Sequence, residues 1–374
     1  MLFAVVGLIG ACRKSGCTDP LAYNYNEKVT DDDGTCLYHE VLIETFSGTT
    51  DHGGSFGYEY NYDKSFFRWT NELTGEVQEG DYRDLGGEYS GVLELEIDNE
   101  KVHTFKSPMG YTVGYFPNDE GTYSLAFGAS TESDLKANSS DLYGDYVYFF
   151  MSPEGVNGNP LWKEWGLMSF NSNNTLRIAD LATGGEGDNP SVPPHYMDSI
   201  GLTLPVNADW DPDPEPFRFD PDHSERLLLD SEMGMELTLY GSVSKDHGIL
   251  VVDVPEEGMG IALRIDEYTV GDLAGEYRTI DVDREGEALY GSVTFHTNGR
   301  MDYLYPKQGG QDDEGVIEGL TQVPTVVRNC FFKEDFGEDG EDIYLFFTGD
   351  CVIYVVFDDN GEFLSYGMGY RLES

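Results

Sequence analysis

The feature that most constrains the fold of this chain is a two-residue alternation of apolar and polar side chains, repeated between turn signals. It is clear in residues 93–98 (LELEID) and 293–296 (VTFH). Successive side chains of a strand point to opposite faces, so such alternation marks a strand with one buried face. Asn298-Gly299 and Asn360-Gly361 lie between strand-like segments, and this dipeptide is typical of tight hairpins. The pattern predicts an antiparallel, all-β protein.

A short internal similarity suggests that the β body contains two related copies. Residues 84–89 (DLGGEY) recur as residues 272–277 (DLAGEY). We expect Gly87 and Gly275 to occupy equivalent turns, and the final tyrosine of each segment to be buried in an equivalent core. Sandwich-like or barrel-like units would both explain the pattern. A β-propeller is the alternative, although the chain has no period of 40 to 50 residues.

A proline-rich, acidic stretch divides the predicted β region. Eight of the 16 prolines lie between Gly184 and Asp222. Proline donates no backbone hydrogen bond and favours extended geometry. We therefore predict a linker, or a long surface excursion, over residues 184–226, between a first β unit at 41–183 and a second at 227–374.

The N-terminal segment has the character of a secretion signal. Residues 1–11 are uncharged and mostly apolar, and they lead into Ile9-Gly10-Ala11-Cys12. This sequence resembles the lipobox of bacterial lipoproteins, which implies a signal peptide over residues 1–11 and a diacylglycerol and palmitate anchor on Cys12. A buried strand with a free thiol is the alternative. The segment lacks the Lys or Arg with which signal peptides usually begin.

The remaining four cysteines form two pairs that are close in sequence. A disulfide between Cys17 and Cys36, or between Cys330 and Cys351, would close a loop of about 20 residues. In the chain-entropy model, each such disulfide stabilises the folded state by roughly 3 kcal/mol. An even number of cysteines suits an oxidising compartment. Zinc binding is the weaker alternative, since no CxxC occurs. We therefore expect two disulfides.

Residues 12–40 carry a second resemblance. The segment GCTDPLAYNYNEKVTDDDGTCLY resembles a short module, GCTDPxAxNYNxxAxxDDGSCxY, that follows the lipidated cysteine in Bacteroidetes-type envelope lipoproteins. The resemblance implies an anchored module with its own disulfide loop. Its oxygen-bearing side chains suit Ca²⁺, although a simple spacer is the alternative. The candidate calcium ligands of this loop are Asn24, Asn26, Asp31, Asp32 and Asp33.

A second acidic run is a further candidate for calcium. Asp211, Asp213 and Glu215 alternate along an extended segment, so their carboxylates share one side. A solvated acidic linker is the alternative. No cofactor other than calcium is indicated by the sequence, and none is required.

Charge and motifs limit the function. The chain has 70 acidic and 22 basic residues, a net charge of −48, which disfavours nucleic acid as a partner. It contains no GxSxG, HExxH, P-loop or GxGxxG motif. We expect a non-enzymatic outer-membrane lipoprotein with a glycan or envelope protein as partner, on either the periplasmic face or the cell surface. A glycan-directed hydrolase on a β-scaffold is the alternative, and no catalytic residue can be named.

Overall fold

In the computed structural model, the alternating segments of the sequence form strands, and nearly all of these pair with antiparallel neighbours. The predicted all-β fold is confirmed. Strands β1 (Ser15–Gly16) and β2 (Asp31–Asp32) form a separate, parallel pair. The structure describes residues 15–16, 31–32, 43–50, 54–72, 74–97, 100–107, 110–117, 123–131, 139–152, 161–183, 195–197, 203–205, 210, 212–221, 226–230, 236–244, 247–254, 258–283, 287–306, 313–336, 340–359 and 363–372.

The chain divides into two units, which we describe separately. The smaller unit comprises Met1–Ile43 and Asn61–Lys64. Its described part contains the β1–β2 pair and a turn in which the Lys64 amide donates to the Asn61 carbonyl (3.3 Å). The larger unit comprises Glu44–Tyr60 and Ser65–Ser374 and contains three β bodies.

The first body, the N-terminal barrel, is a closed barrel of eight strands. Its last strand pairs with its first, Gly128 opposite Gly48. Strands that wrap around one axis in this way confirm the barrel interpretation over the propeller. Its strands are β3 (Ile43–Thr50), β4 (Ser55–Asn61), β5 (Phe66–Asn71), β6 (Val77–Asp84), β7 (Val92–Ile97), β8 (Glu100–Ser107), β9 (Tyr111–Pro117) and β10 (Tyr123–Ser130).

The second body, the middle barrel, follows a short helix, α1 (Ser139–Leu142), and is also a closed barrel of eight strands. A separate hairpin of β14 (His195–Met197) and β15 (Thr203–Pro205) interrupts its chain order. The barrel strands are β11 (Gly144–Ser152), β12 (Leu161–Asn171), β13 (Thr175–Thr183), β16 (Glu215–Phe219), β17 (Arg226–Asp230), β18 (Glu236–Ser244), β19 (His247–Val254) and β20 (Gly258–Arg264).

The middle barrel differs from the predicted division of the chain. Strands on both sides of the proline-rich stretch belong to one barrel, because β13 pairs with β16 and β11 pairs with β20. The stretch even contributes β16 itself. The predicted units at 41–183 and 227–374 therefore cut through a barrel. Local composition marked the interruption, but the pairing across it depends on strands distant in sequence.

The third body, the C-terminal sheet, has nine strands and two free edges. Its first strand pairs with its last, Asp281 opposite Gly367, as in a barrel. The edges fall between β24 and β25, which are consecutive in the chain, so the sheet has an open seam there. Its strands are β21 (Gly275–Asp283), β22 (Ala288–Phe295), β23 (Met301–Tyr305), β24 (Asp313–Ile317), β25 (Thr321–Gln322), β26 (Cys330–Phe336), β27 (Glu341–Thr348), β28 (Cys351–Phe357) and β29 (Phe363–Arg371).

The middle barrel and the C-terminal sheet begin with the same local structure. In each, a short helical turn precedes the first strand, and a tyrosine hydroxyl donates back to a leucine carbonyl four residues earlier. The pairs are Tyr146 with Leu142 (2.9 Å) and Tyr277 with Leu273 (3.1 Å). Both tyrosines are buried. These two bodies are therefore built on a common plan.

A glycine and an arginine complete this shared corner. Gly144 and Gly275 adopt φ values of 147° and 156°, which favour glycine over other residues. A Cβ atom on Gly275 would lie 2.5 Å from the Arg371 side chain. Arg371 pairs opposite Tyr277 in the last strand, and Arg264 pairs opposite the corresponding tyrosine of the middle barrel.

The similarity predicted between residues 84–89 and 272–277 is therefore not a structural equivalence. Gly87 lies in a 3-10 turn (Gly87–Tyr89), whereas Gly275 begins a strand. Tyr89 is only half-buried and Tyr277 is fully buried. The 84–89 segment connects β6 to β7 inside the N-terminal barrel, so two nearly identical sequences adopt different local structures.

Candidate functional site

The C-terminal sheet encloses a cavity of about 970 Å³ on its inner face. This volume lies in the range of small-molecule sites, which are usually concave and mostly apolar with a few placed polar groups. One lining residue, Phe295, belongs to a cluster of rings that pack edge to face. The other rings of this cluster are Tyr277, Phe331 and Phe347, with centroid separations of 5.1 to 6.2 Å.

The floor of the cavity is apolar because the inward positions of several strands carry aliphatic or aromatic side chains. Most of these residues belong to one buried cluster of the sheet. Removing such surface from water stabilises a bound apolar group by about 25 cal/mol per Å². The apolar floor residues are Val293, Phe295, Met301, Ile317, Ile343, Leu345, Val352 and Val356.

One carboxyl group lies within this apolar surround. Strand β21 presents Thr279, Asp281 and Asp283 to the cavity, two residues apart. Asp281 is partly exposed as a residue, but its Oδ1 atom is buried and has no hydrogen-bond partner among the described residues. Burial in low dielectric disfavours the charged form, so desolvation raises the pKa of Asp281 to about 7.

Because Gly367 has no side chain, the Tyr354 hydroxyl can reach the Asp281 carboxyl. Asp281, Gly367 and Tyr354 are directly opposite one another on three neighbouring strands. A Cβ atom on Gly367 would lie 2.3 Å from the Tyr354 ring and 2.7 Å from the Asp281 Cβ. The ring therefore crosses β29 over the glycine, and the hydroxyl hydrogen-bonds the Asp281 carboxyl, which lowers its pKa against the larger effect of burial.

A second tyrosine reaches β21 from the other side in the same way. The Tyr305 ring lies over Gly291, where a Cβ atom would be 2.5 Å away. Its hydroxyl lies 3.0 Å from the Tyr354 hydroxyl and accepts from Thr279 at 3.4 Å. Burial raises the pKa of both tyrosines. A chain of three hydroxyl groups thus ends at the Asp281 carboxyl.

The rim of the cavity is acidic. None of the described residues that line the cavity is Lys, Arg or His. One lining residue, Tyr123, comes from the N-terminal barrel. The rim carboxylates are Asp283, Glu287, Asp313 and Glu341.

The two cysteines predicted to pair in this body are free. Cys330 and Cys351 are buried thiols on β26 and β28, with β27 between them. Strands two apart are separated by roughly 10 Å, and a disulfide needs Cα atoms within about 7 Å. The predicted Cys330–Cys351 disulfide is therefore wrong in this structure. Burial raises the pKa of the Cys351 thiol to about 12, which keeps it unreactive.

Among the described residues, the candidate calcium ligands do not form a metal site. No group of three His, Cys, Asp or Glu side chains in the described ranges is placed to hold a metal ion. Asp213 is exposed, and Glu215 pairs opposite Leu176 at the start of β16. Asp31 and Asp32 are described only as the backbone of β2. Cys12, Cys17, Asn24, Asn26, Asp33, Cys36 and Asp211 lie outside the described residues.

The residues that form the cavity site were not found by sequence reasoning. With 70 acidic residues, no motif distinguishes Asp281. In β21, Tyr277, Thr279 and Asp281 share one face of the strand, while Arg278 and Ile280 are buried on the other, so alternation does not mark Asp281. The glycine positions that admit the two tyrosines can be recognised only from the register of neighbouring strands.

The fold and the cavity define an all-β protein of tandem barrel bodies whose last body holds a ligand-sized cavity. No family model matches the chain, and no curated protein matches it. None of the helices in the described residues is long and apolar enough to cross a membrane.

Several solved structures overlap the chain at low similarity. A Nostoc punctiforme protein of the DUF3598 family, of unknown function, is 12% identical over 62% of this chain and 97% of its own, with a TM-score of 0.20. Transferrin binding protein B of Haemophilus parasuis is 9% identical over 88% and 77%, with a TM-score of 0.23. Transferrin binding protein B of Neisseria meningitidis is 9% identical over 86% of this chain and 66% of its own, with a TM-score of 0.24. Scores this low carry no inference about this chain.

Proposed function

We propose that this chain is a non-enzymatic binding protein of the cell envelope, and that its C-terminal sheet holds a small, largely apolar molecule. The observation that carries the proposal is the cavity of about 970 Å³ with a floor of apolar side chains. Concave spaces of this volume, lined by apolar side chains and a few polar groups, are where proteins usually bind small molecules.

The chemistry of the polar groups favours binding over catalysis. Burial raises the pKa of Tyr305 and Tyr354, so both hydroxyls stay protonated and are weak nucleophiles at neutral pH. A glycoside hydrolase uses two carboxyl groups on opposite sides of its substrate. Here Asp281 has a buried carboxyl oxygen and Asp283 projects from the same strand, two residues apart, whereas Glu287, Asp313 and Glu341 are half-exposed or exposed at the rim. We therefore place the hydrolase alternative second.

The binding proposal is tested with N-phenyl-1-naphthylamine, a neutral probe whose fluorescence rises in apolar surroundings. We expect saturable binding to the purified chain lacking residues 1–12. Leu289→Trp places a large ring at a cavity-lining, exposed position and should weaken binding about tenfold or more.

The matched control is Val316→Trp. Val316 is also exposed on the same sheet but does not line the cavity, so this variant should bind as the parent does. Unfolding curves of both variants confirm that they are folded. Equal loss in both variants, or no saturable binding to the parent chain, contradicts the proposal.

The envelope address is a separate part of the proposal and rests on the lipobox-like sequence before Cys12. We expect a chain expressed in a lipoprotein-processing bacterium, with a basic n-region supplied, to incorporate labelled palmitate. Cys12→Ser should abolish the label, whereas Cys17→Ser should retain it. Label on the Cys12→Ser chain contradicts the anchor. Protease treatment of intact cells then distinguishes the periplasmic face from the surface, where a glycan or protein partner would be met.

A further inference from the structure

We propose that the ligand of the cavity is an amphipathic organic cation, with its apolar body on the floor and its positive group beside Asp281. This inference rests on the proposed binding function and deepens it by naming the ligand class. It is carried by one buried acceptor, by the sign of the charges around it and by the arrangement of the neighbouring hydroxyls.

The first observation is an acceptor without a partner. The Asp281 Oδ1 atom is buried beside the cavity and receives no hydrogen bond from the described residues. A buried, unsatisfied carboxylate oxygen is costly, and a positive group beside the carboxyl would offset that cost. The ligand group that fits is therefore one that stabilises a carboxylate.

The second observation is charge complementarity. Four further carboxylates surround the cavity rim, and the described lining contains no basic residue. The whole chain carries a net charge of −48. A surface of one sign that narrows into a low-dielectric cavity attracts ligands of the opposite sign and repels anions. A cationic donor is thus favoured over a neutral one.

The third observation separates an organic cation from a metal ion. A divalent metal would need several oxygen ligands, whereas no three acidic, His or Cys side chains converge in the described part of the chain. The groups near Asp281 are the hydroxyls of Thr279, Tyr305 and Tyr354. Three hydroxyls and one carboxyl suit an ammonium-type group that makes directional hydrogen bonds. The adjoining apolar floor suits its hydrocarbon part.

The test uses competition between two surfactants with the same twelve-carbon tail, below their micelle concentrations and at pH 8. Dodecylammonium is the cation and dodecanoate is the anion. We expect dodecylammonium to displace N-phenyl-1-naphthylamine at a concentration at least about tenfold lower than dodecanoate, a difference of about 1.4 kcal/mol. In Asp281→Asn, this preference should fall to about threefold or less.

Asp313→Asn is the matched control, because it removes one rim charge and leaves Asp281 in place. It should keep most of the preference for the cation. If the probe binds the parent chain but both surfactants compete equally, or Asp281→Asn keeps the full preference, the cation inference is overturned and the binding function stands. If the probe does not bind the parent chain, the binding function itself fails.

Discussion

The N-terminal barrel and the C-terminal sheet both place tyrosine hydroxyls against threonines inside a curled sheet, yet one interior is full and the other is hollow. In the N-terminal barrel, the Tyr60 hydroxyl lies 2.9 Å from the Thr104 hydroxyl and 3.1 Å from that of Thr112. Its ring contacts rings of Phe46, Tyr58 and Tyr82 at 4.6 to 5.9 Å, so aromatic side chains fill the centre.

In the C-terminal sheet, Tyr305 and Tyr354 lie flat against glycines of neighbouring strands instead of pointing into the centre. The inward positions nearby are mostly aliphatic, and the space above them stays open. An eight-stranded barrel has an interior just wide enough for its own side chains or for one small ligand. The comparison teaches that side-chain size and glycine placement, together with the open seam of the nine-stranded sheet, decide between a solid core and a binding cavity.

The most severe test of this comparison removes a ring from each body. Tyr60→Ala deletes a fully buried ring from the packed barrel and should lower the free energy of unfolding by about 3–5 kcal/mol. Tyr303→Ala removes a half-buried ring that lines the existing cavity, and should cost less than about 1.5 kcal/mol.

Chemical denaturation, with hydrogen exchange to assign each transition to its body, measures both costs. Similar costs for the two variants would contradict the contrast between a filled and an open interior.

The second test uses pH. The pKa of Asp281 is raised to about 7 from its ordinary value of 3.8, so the unfolded chain releases this proton first as pH rises. Its contribution to stability is full below about pH 4 and is lost as pH rises through 7. Asp281→Asn should therefore stabilise the C-terminal sheet above pH 7, by about 2–4 kcal/mol, and should change little near pH 4.

Unfolding midpoints of parent and variant between pH 4 and pH 8 measure this difference. The N-terminal barrel is an internal control, because its stability should be the same in both chains. A difference that is independent of pH would mean that Asp281 is ionised as easily in the folded chain as in the unfolded one.

The smallest expected effect concerns the glycine that admits Tyr354. Gly367→Ala places a Cβ atom 2.3 Å from the ring, so the ring must shift and the variant should lose about 1–3 kcal/mol. Gly57→Ala in the N-terminal barrel meets only the Glu72 side chain, at 3.8 Å, and should change stability by about 0.5 kcal/mol or less. Thermal unfolding of both variants measures the difference, and equal effects would remove the role assigned to Gly367.

Much of the fold could be read from the sequence, because strand alternation is a local property. Residues 93–97 and 293–295 lie in the predicted strands β7 and β22, and the Asn298-Gly299 turn joins β22 to β23 as a hairpin. Long-range pairing was read less well. Cys330 and Cys351 are close in sequence, but the strand between them holds their thiols apart.

The repeated plan of the molecule illustrates the same limit. The segments at 84–89 and 272–277 are similar in sequence, whereas the structural counterpart of residues 273–277 is the segment 142–146. Both of these segments share a leucine, a glycine and a tyrosine at the same spacing. Two structural features show the correspondence: the tyrosine hydroxyl donates to the leucine carbonyl, and an arginine lies opposite the tyrosine. The position of the arginine depends on how the first strand of each body pairs with its last.

Local sequence was sufficient for the class of fold, since the two-residue period and the turn residues act within a few positions of one another. It was also sufficient for the acidic character of the surface, since charge follows from composition. The cavity depended on long-range register. Asp281 and Gly367 are 86 residues apart in the sequence. They and Tyr354 come together because β21 pairs with β29 and β29 pairs with β28. A carboxyl group acquires its raised pKa from such neighbours and from burial, neither of which is a property of its own segment.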